Sequence, residues 1–88
     1  MRFTVTRLCG GKALMTIPED DVNVDLEKAP GKLGDDYKVG KSDDMMLVLT
    51  WNGMEVTVYP QGKIMFFPLS DKDTAVKYAT AMLEKMSF

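Results

Sequence analysis

The stretch Gly34 to Ser42, reading GDDYKVGKS, comes near to a loop that does chemistry. A phosphate-binding loop places four residues between its first glycine and the Gly-Lys-Ser, so that successive backbone N–H groups converge on one phosphate. Here five residues intervene, no buried strand is predicted ahead of the stretch and no helix after Ser42. It reads as a charged turn. Asp21, Asn23 and Asp25 reproduce the first three ligand positions of a calcium-binding EF-hand loop, but Leu26 and Lys32 stand where that loop requires its glycine and its bidentate glutamate. The most that Glu19, Asp20, Asp21 and Asp25 could offer is a weak, nonspecific divalent-cation site.

Cys9 lies beside Gly10 and Gly11, where backbone N–H groups could lower a thiol pKa, with Arg7 and Lys12 as its only helpers. The bland reading is a turn or half-buried thiol. Asp35 with Asp36, and Asp43 with Asp44, are sequence neighbours on charged turns rather than carboxyls in an apolar cleft, which is where acid-base catalysis needs them. The chain has no histidine, and that removes Ser-His-Asp, Cys-His and His-ligated zinc chemistry together. The expectation is therefore a non-catalytic protein without cofactor or metal.

The 88 residues are 45% apolar and 27% charged, as in a globular domain, and one domain over 1–88 with one core is expected. A lone cysteine favours a reducing, cytoplasmic setting. The start, MRFTVTRL, alternates where a signal peptide needs a continuous apolar run, and the longest apolar run, Met45 to Leu49, is too short to span a membrane. Eight methionines read as filling for irregular core gaps before a plastic binding surface. Charge is uneven: Pro18 to Asp44 holds nine acids and four lysines, and the remainder holds seven basic and four acidic residues, for a net charge of −2. Residues 18–44 thus read as an exposed acidic loop or short-helix excursion from a mildly basic sheet and helix.

The elements are clearest from Met45 onward. Two β-rich runs in MMLVLTWNGMEVTVYP flank Asn52-Gly53, the pair suited to a two-residue type I′ hairpin, which sets Trp51 opposite Met54. Period-two alternation then places Leu47, Leu49, Trp51, Met54, Val56 and Val58 on one face, and Met46, Val48, Thr50, Glu55, Thr57 and Tyr59 on the other. A three-residue turn, Pro60-Gln61-Gly62, pairs Tyr59 with Lys63, adding Ile64 and Phe66 to the first face and Met65 and Phe67 to the second. Ser70 as N-cap with Asp73 completing a capping box starts a helix from about Asp71 to Met86. Its apolar stripe is Ala75, Val76, Ala79, Met82, Leu83 and Met86.

RFTVTRL and KALMTI form an N-terminal hairpin about Cys9-Gly10-Gly11. A three-residue loop pairs Leu8 with Lys12 and aligns Phe3, Val5 and Arg7 with Ala13, Met15 and Ile17; it is preferred to a two-residue Gly-Gly loop, which mixes the faces. PEDDVNVDLEKA is read as a short helix in preference to a strand, although Val22, Val24 and Leu26 also alternate. PGKLGDDYKVGKSDD, anchored by Leu33, Tyr37 and Val39, is expected as a mobile loop or short edge strand.

Over the C-terminal third, VTVYPQGKIMFFPLSDKDTAVKYATAMLEKM resembles the second part of one repeat of the TATA-box-binding-protein fold. The likeness rests on Tyr59, the Gly62-Lys63 pair, the alternating strand Ile64 to Phe67, and Tyr78-Ala79 in the helix. The elements together give the α+β class, an antiparallel sheet of N-terminal hairpin and three-stranded meander packed on one face by the C-terminal helix, and the resemblance likens this to half of that family's saddle. It also implies that Tyr59, Met65 and Phe67 lie on the face that meets a DNA minor groove in that family.

The alternation independently puts those three on the face away from the helix. With Met46, Val48 and Thr57 they make that face too apolar to stand open. The cheapest cover is internal, by the acidic segment or a second helix; next comes a second copy or a protein partner. The reading is a non-catalytic protein-interaction module, dimeric or hetero-binding, acting through Met46, Val48, Thr57, Tyr59, Met65 and Phe67. Nucleic-acid binding is the alternative, weakened by the acidic balance and by Lys63 being the only base near Glu55 on that face. Small-molecule binding is a third.

Overall fold

The computed structural model describes residues 2–87, and of Cys9 and Ser87 the backbone alone. Six strands, β1 (Phe3–Leu8), β2 (Ala13–Pro18), β3 (Lys38–Ser42), β4 (Leu47–Trp51), β5 (Met54–Val58) and β6 (Ile64–Phe67), form one sheet in the order β1-β2-β6-β5-β4-β3. Every neighbouring pair is antiparallel. A short helix, α1 (Ala29–Leu33), precedes β3, and a long one, α2 (Lys72–Ser87), closes the chain. The class is α+β: an antiparallel sheet packed against a C-terminal helix.

The β4-β5-β6 meander follows from its turns. Asn52 (φ 53°) and Gly53 (φ 75°) take the two positive φ angles of the hairpin, and Trp51 pairs with Met54 as expected. At the second turn Tyr59 N–H donates to the Lys63 carbonyl at 2.9 Å, and Gly62 (φ 91°) supplies the left-handed residue. Gly62 is required twice over, because a Cβ there would lie 2.9 Å from Val22 Cβ and 3.1 Å from Pro18 Cγ.

The N-terminal hairpin differs by one residue from its expected register. Leu8 pairs with Ala13, so the connection is Cys9 to Lys12, and Phe3, Val5 and Arg7 stand opposite Pro18, Thr16 and Leu14. The cause is non-local: β2 pairs with β6 through Leu14↔Phe66 and Thr16↔Ile64, which turns Leu14 toward the helix and Met15 away. Thr16 is fully buried by this choice, and its hydroxyl donates to the Ile64 carbonyl at 3.1 Å.

The helix expected in PEDDVNVDLEKA is absent. β2 runs through Pro18, residues 21–25 have no regular structure, and α1 begins at Ala29 with Pro30 in its first turn. Val24 N–H donates to the Pro60 carbonyl at 2.8 Å, holding the segment across the β5-β6 turn, while Val24 and Leu26 sink into the core. The alternation of Val22, Val24 and Leu26 was the better guide. β3 is the expected short edge strand. α2 starts one residue later than expected: Asp71, not Ser70, is the cap, accepting from Asp73 N–H (3.1 Å) and the Thr74 hydroxyl (2.6 Å).

One core joins the sheet residues Leu14, Leu47, Leu49, Met54, Val56, Val58, Ile64 and Phe66 to the α2 stripe Ala75, Ala79, Met82, Leu83 and Met86. Ala29, Leu33 and Tyr37 belong to the same cluster, so α1 packs beside α2. Tyr37 stacks on Trp51 (5.0 Å between ring centroids), which meets Tyr78 edge-on at 4.8 Å. Lys85 Nζ lies 5.7 Å from the Tyr37 ring.

Candidate functional site

The two helices and the segment between β2 and α1 all contribute to the core on one side of the sheet. Among the described residues, then, none supplies the expected internal cover of the other side. The acidic segment carries Val24, Leu26 and Ala29, and burial of these residues draws it to the face where α2 already provides an apolar surface.

The open face can be read from the registers. One row crosses all six strands: Thr6, Met15, Met65, Thr57, Val48 and Lys41. At about 4.8 Å between strands this row spans roughly 24 Å. A second runs through Phe67, Glu55, Thr50 and Lys38. Met46, Val48, Thr57, Tyr59, Met65 and Phe67 thus share one face, as the alternation required. Met46, Val48, Tyr59 and Met65 are half-buried by their neighbours, Thr57 is buried, and Phe67 is 38% exposed.

Sequence reasoning missed several members of this surface, Thr4 and Thr6 of β1 among them. Met15 and Ile17 arrive through the pairing of β2 with β6, which sets Met15 beside Met65. Lys38 and Lys41 arrive because β3 pairs with β4, placing them opposite Thr50 and Val48. The bulge at Gly40 matters here: without the register shift between Val39 and Lys41, Lys41 would fall on the other face. Lys63 is accordingly not the only base. The face carries Lys38, Lys41 and Lys63 beside Glu55, with the Arg2-Glu19 pair at its β1-β2 end, although the exposed Lys41 also reaches Asp43 at 4.0 Å.

Asp43 orders the β3-β4 turn. Its carboxylate accepts from the N–H groups of Met45 (2.7 Å) and Met46 (2.9 Å), and these bonds hold its pKa below the ordinary carboxylate value. Tyr37, on the helix side, is shifted up, first by burial and then by the charge of Asp36.

The motifs with chemical potential stay apart from this face or fail on geometry. Gly40, Lys41 and Ser42 belong to an edge strand rather than to a helix N-terminus, so GDDYKVGKS does not cradle a phosphate. No group of three acids or thiols that could hold a metal ion occurs among the described residues. The reactive-thiol reading of Cys9 concerns a side chain outside the described residues. A shallow cleft of about 470 Å³ at the end of the sheet, between Ile17, Asp20, Val22 and Lys63, is open to solvent. No helix among the described residues is long and apolar enough to cross a membrane. Comparison with protein families, curated proteins and solved structures found no match.

Proposed function

We propose that the protein is a non-catalytic interaction module that docks a protein partner on the open sheet face. The carrying observation is the two-layer arrangement: α1, α2 and the acidic segment share one side, and among the described residues no element packs over Met15, Val48, Met65 and Phe67, or over Met46 and Tyr59 beside them, on the other. Thioethers adapt to irregular apolar partners. Arg2, Lys38, Lys41 and Lys63 against Glu19 and Glu55 favour a partner segment that mixes apolar and acidic side chains. A photo-crosslinking residue at Phe67, compared with one at the exposed Lys77 on α2, tests this in the native host. The expected result is a discrete protein adduct at position 67 that Met65→Glu abolishes. Equal labelling from both positions would sink the proposal.

A second reading, nucleic-acid binding, draws support from Lys38 and Lys41 sharing a face with Tyr59, Met65 and Phe67, and from the resemblance to the TATA-box-binding-protein fold over the last third of the chain. Phosphate neutralisation dominates such binding, so it should be strongest at low salt. Titration with duplex DNA at low salt should then shift the amides of Thr57, Tyr59, Met65 and Phe67. If these stay unmoved, the DNA reading is finished.

A further inference from the structure

The sheet has two edges, and they are built differently. β3 is short, wholly exposed, interrupted by the bulge at Gly40 and carries Lys38 and Lys41. These are the usual defences of an edge against pairing. β1 is longer and carries no bulge: its six residues pair with β2 without a shift, its centre is the β-branched run Thr4-Val5-Thr6, and its one charged residue, Arg7, donates to the Ser70 carbonyl.

The hydrogen-bond phase of β1 follows from one bond. Glu19 N–H donates to the Arg2 carbonyl at 2.9 Å, and Arg2 and Glu19 fall on the same register as the β1-β2 pairs. In an antiparallel ladder bonded and non-bonded pairs alternate, so Thr4, Thr6 and Leu8 bond to β2. The N–H and C=O groups of Phe3, Val5 and Arg7 therefore point to the free edge. Among the described residues no backbone group bonds to them there.

We propose that two copies of this chain join through β1, antiparallel, about a two-fold axis at Val5. That register makes Val5·Val5, Phe3·Arg7 and Arg7·Phe3 the bonded pairs across the axis, two bonds each, and so uses every outward group. Any other two-fold register leaves some of them unpaired. The same register sets Thr4 against Thr6 of the other copy on the open face, a favourable pair in a sheet. It also keeps the two Arg7 side chains, each donating to its own Ser70 carbonyl at 3.3 Å, from facing one another. The product is a continuous twelve-stranded sheet whose two open faces lie side by side. This pairing uses the edge and does not rest on the function proposed for the face.

Sedimentation of the full chain across a concentration series tests it, with charge pairs at exposed positions reporting the register. The wild type should dimerise, T4K/T6K should sediment as a monomer because lysines then oppose lysines, and T4K/T6E should dimerise because each lysine meets a glutamate. In a mixed-label sample, Thr4 Hα should show a strong contact with Thr6 Hα of the other copy. Met65→Glu should leave the dimer intact. A wild type that stays monomeric at its solubility limit overturns the proposal. So does a dimer that survives T4K/T6K, or one lost on Met65→Glu but not on T4K/T6K, which would place the contact on the open face instead.

Discussion

Replacing Gly62 by alanine tests how the acidic segment is held, and with it why one sheet face is free. Two costs combine. At φ 91° an L-residue is strained, by roughly 1–2 kcal/mol. The new Cβ would also meet Val22 Cβ at 2.9 Å, Val22 Cγ1 at 3.0 Å and Pro18 Cγ at 3.1 Å, in a turn bonded to the segment through Val24. Overpacking of this kind costs typically about 1–3 kcal/mol, for a total of roughly 2–5 kcal/mol. A chain of this length has on the order of 4–13 kcal/mol of stability in all, so the loss is large but measurable. Urea unfolding followed by Trp51 fluorescence gives the number. Val22→Gly removes the two nearest carbons and leaves Pro18 Cγ, so in that background the cost of Gly62→Ala should fall toward the backbone part, about 1–2 kcal/mol. Gly31→Ala, with open space and no positive φ, serves as control and should be neutral or stabilise by up to about 1 kcal/mol. If Gly62→Ala costs the same whether or not Val22 is present, the segment does not lie against the turn, and the account of the uncovered face fails with it.

Phe66→Ala, at a fully buried position beneath Tyr78, should cost about 3–5 kcal/mol in the same assay and lower the unfolding midpoint without changing the slope. Asp71→Ala should lower the thermal midpoint and the helical signal of α2, whereas Asp71→Asn, which keeps an accepting cap, should do so far less. The pKa values of Asp71, lowered first by the Thr74 hydroxyl, and of Asp43, lowered by Met45 and Met46 N–H, both lie below the ordinary 3.8. Their stabilisation is present above that value and lost as pH falls through the folded values, so a D43A/D71A variant should show a flatter acid limb of stability against pH. Tyr37 has the opposite sign: its folded pKa lies above 10.0, so its contribution is intact below 10.0 and lost as pH rises past it. Tyr37→Phe should flatten the alkaline limb.

What could be read from the chain alone divides by the range of the interactions that decide it. Asn52-Gly53 and Gly62 fix their turns locally, and from them the whole β4-β5-β6 register and both of its faces follow. The first hairpin offers Gly10 and Gly11 at positive φ in a longer loop, and both alternating sets of β2, Leu14 with Thr16 and Met15 with Ile17, can pass as an inner face. Only the pairing of Leu14 with Phe66 distinguishes them, and no local pattern reports it. Of the face residues named from alternation, Val48, Thr57, Met65 and Phe67 lie in adjacent rows, with Met46 and Tyr59 just beyond the ends of β4 and β5, whereas Lys38 and Lys41 could not be assigned before β3 was paired and its bulge counted. Residues 18–29 carry signals for both helix and strand, and their fate was decided by contact with the Pro60-Gly62 turn.

The pairing of β2 with β6 also governs the order in which the molecule can be made. The Thr16 hydroxyl finds its acceptor 48 residues later, at Ile64, so the β1-β2 hairpin is synthesised well before its neighbour in the sheet and stays without it until β6 is made. Until then Leu14 and Ala13 are exposed on a two-stranded ribbon that is at best marginally stable alone. The β4-β5-β6 meander, whose contacts are local, can form by itself and then serve as the template onto which the waiting hairpin docks. Synthesis of this chain thus contains a delay written into its strand order, and chains truncated before Ile64, which lack β6 and α2, should be far more prone to aggregation or proteolysis than the 88-residue chain.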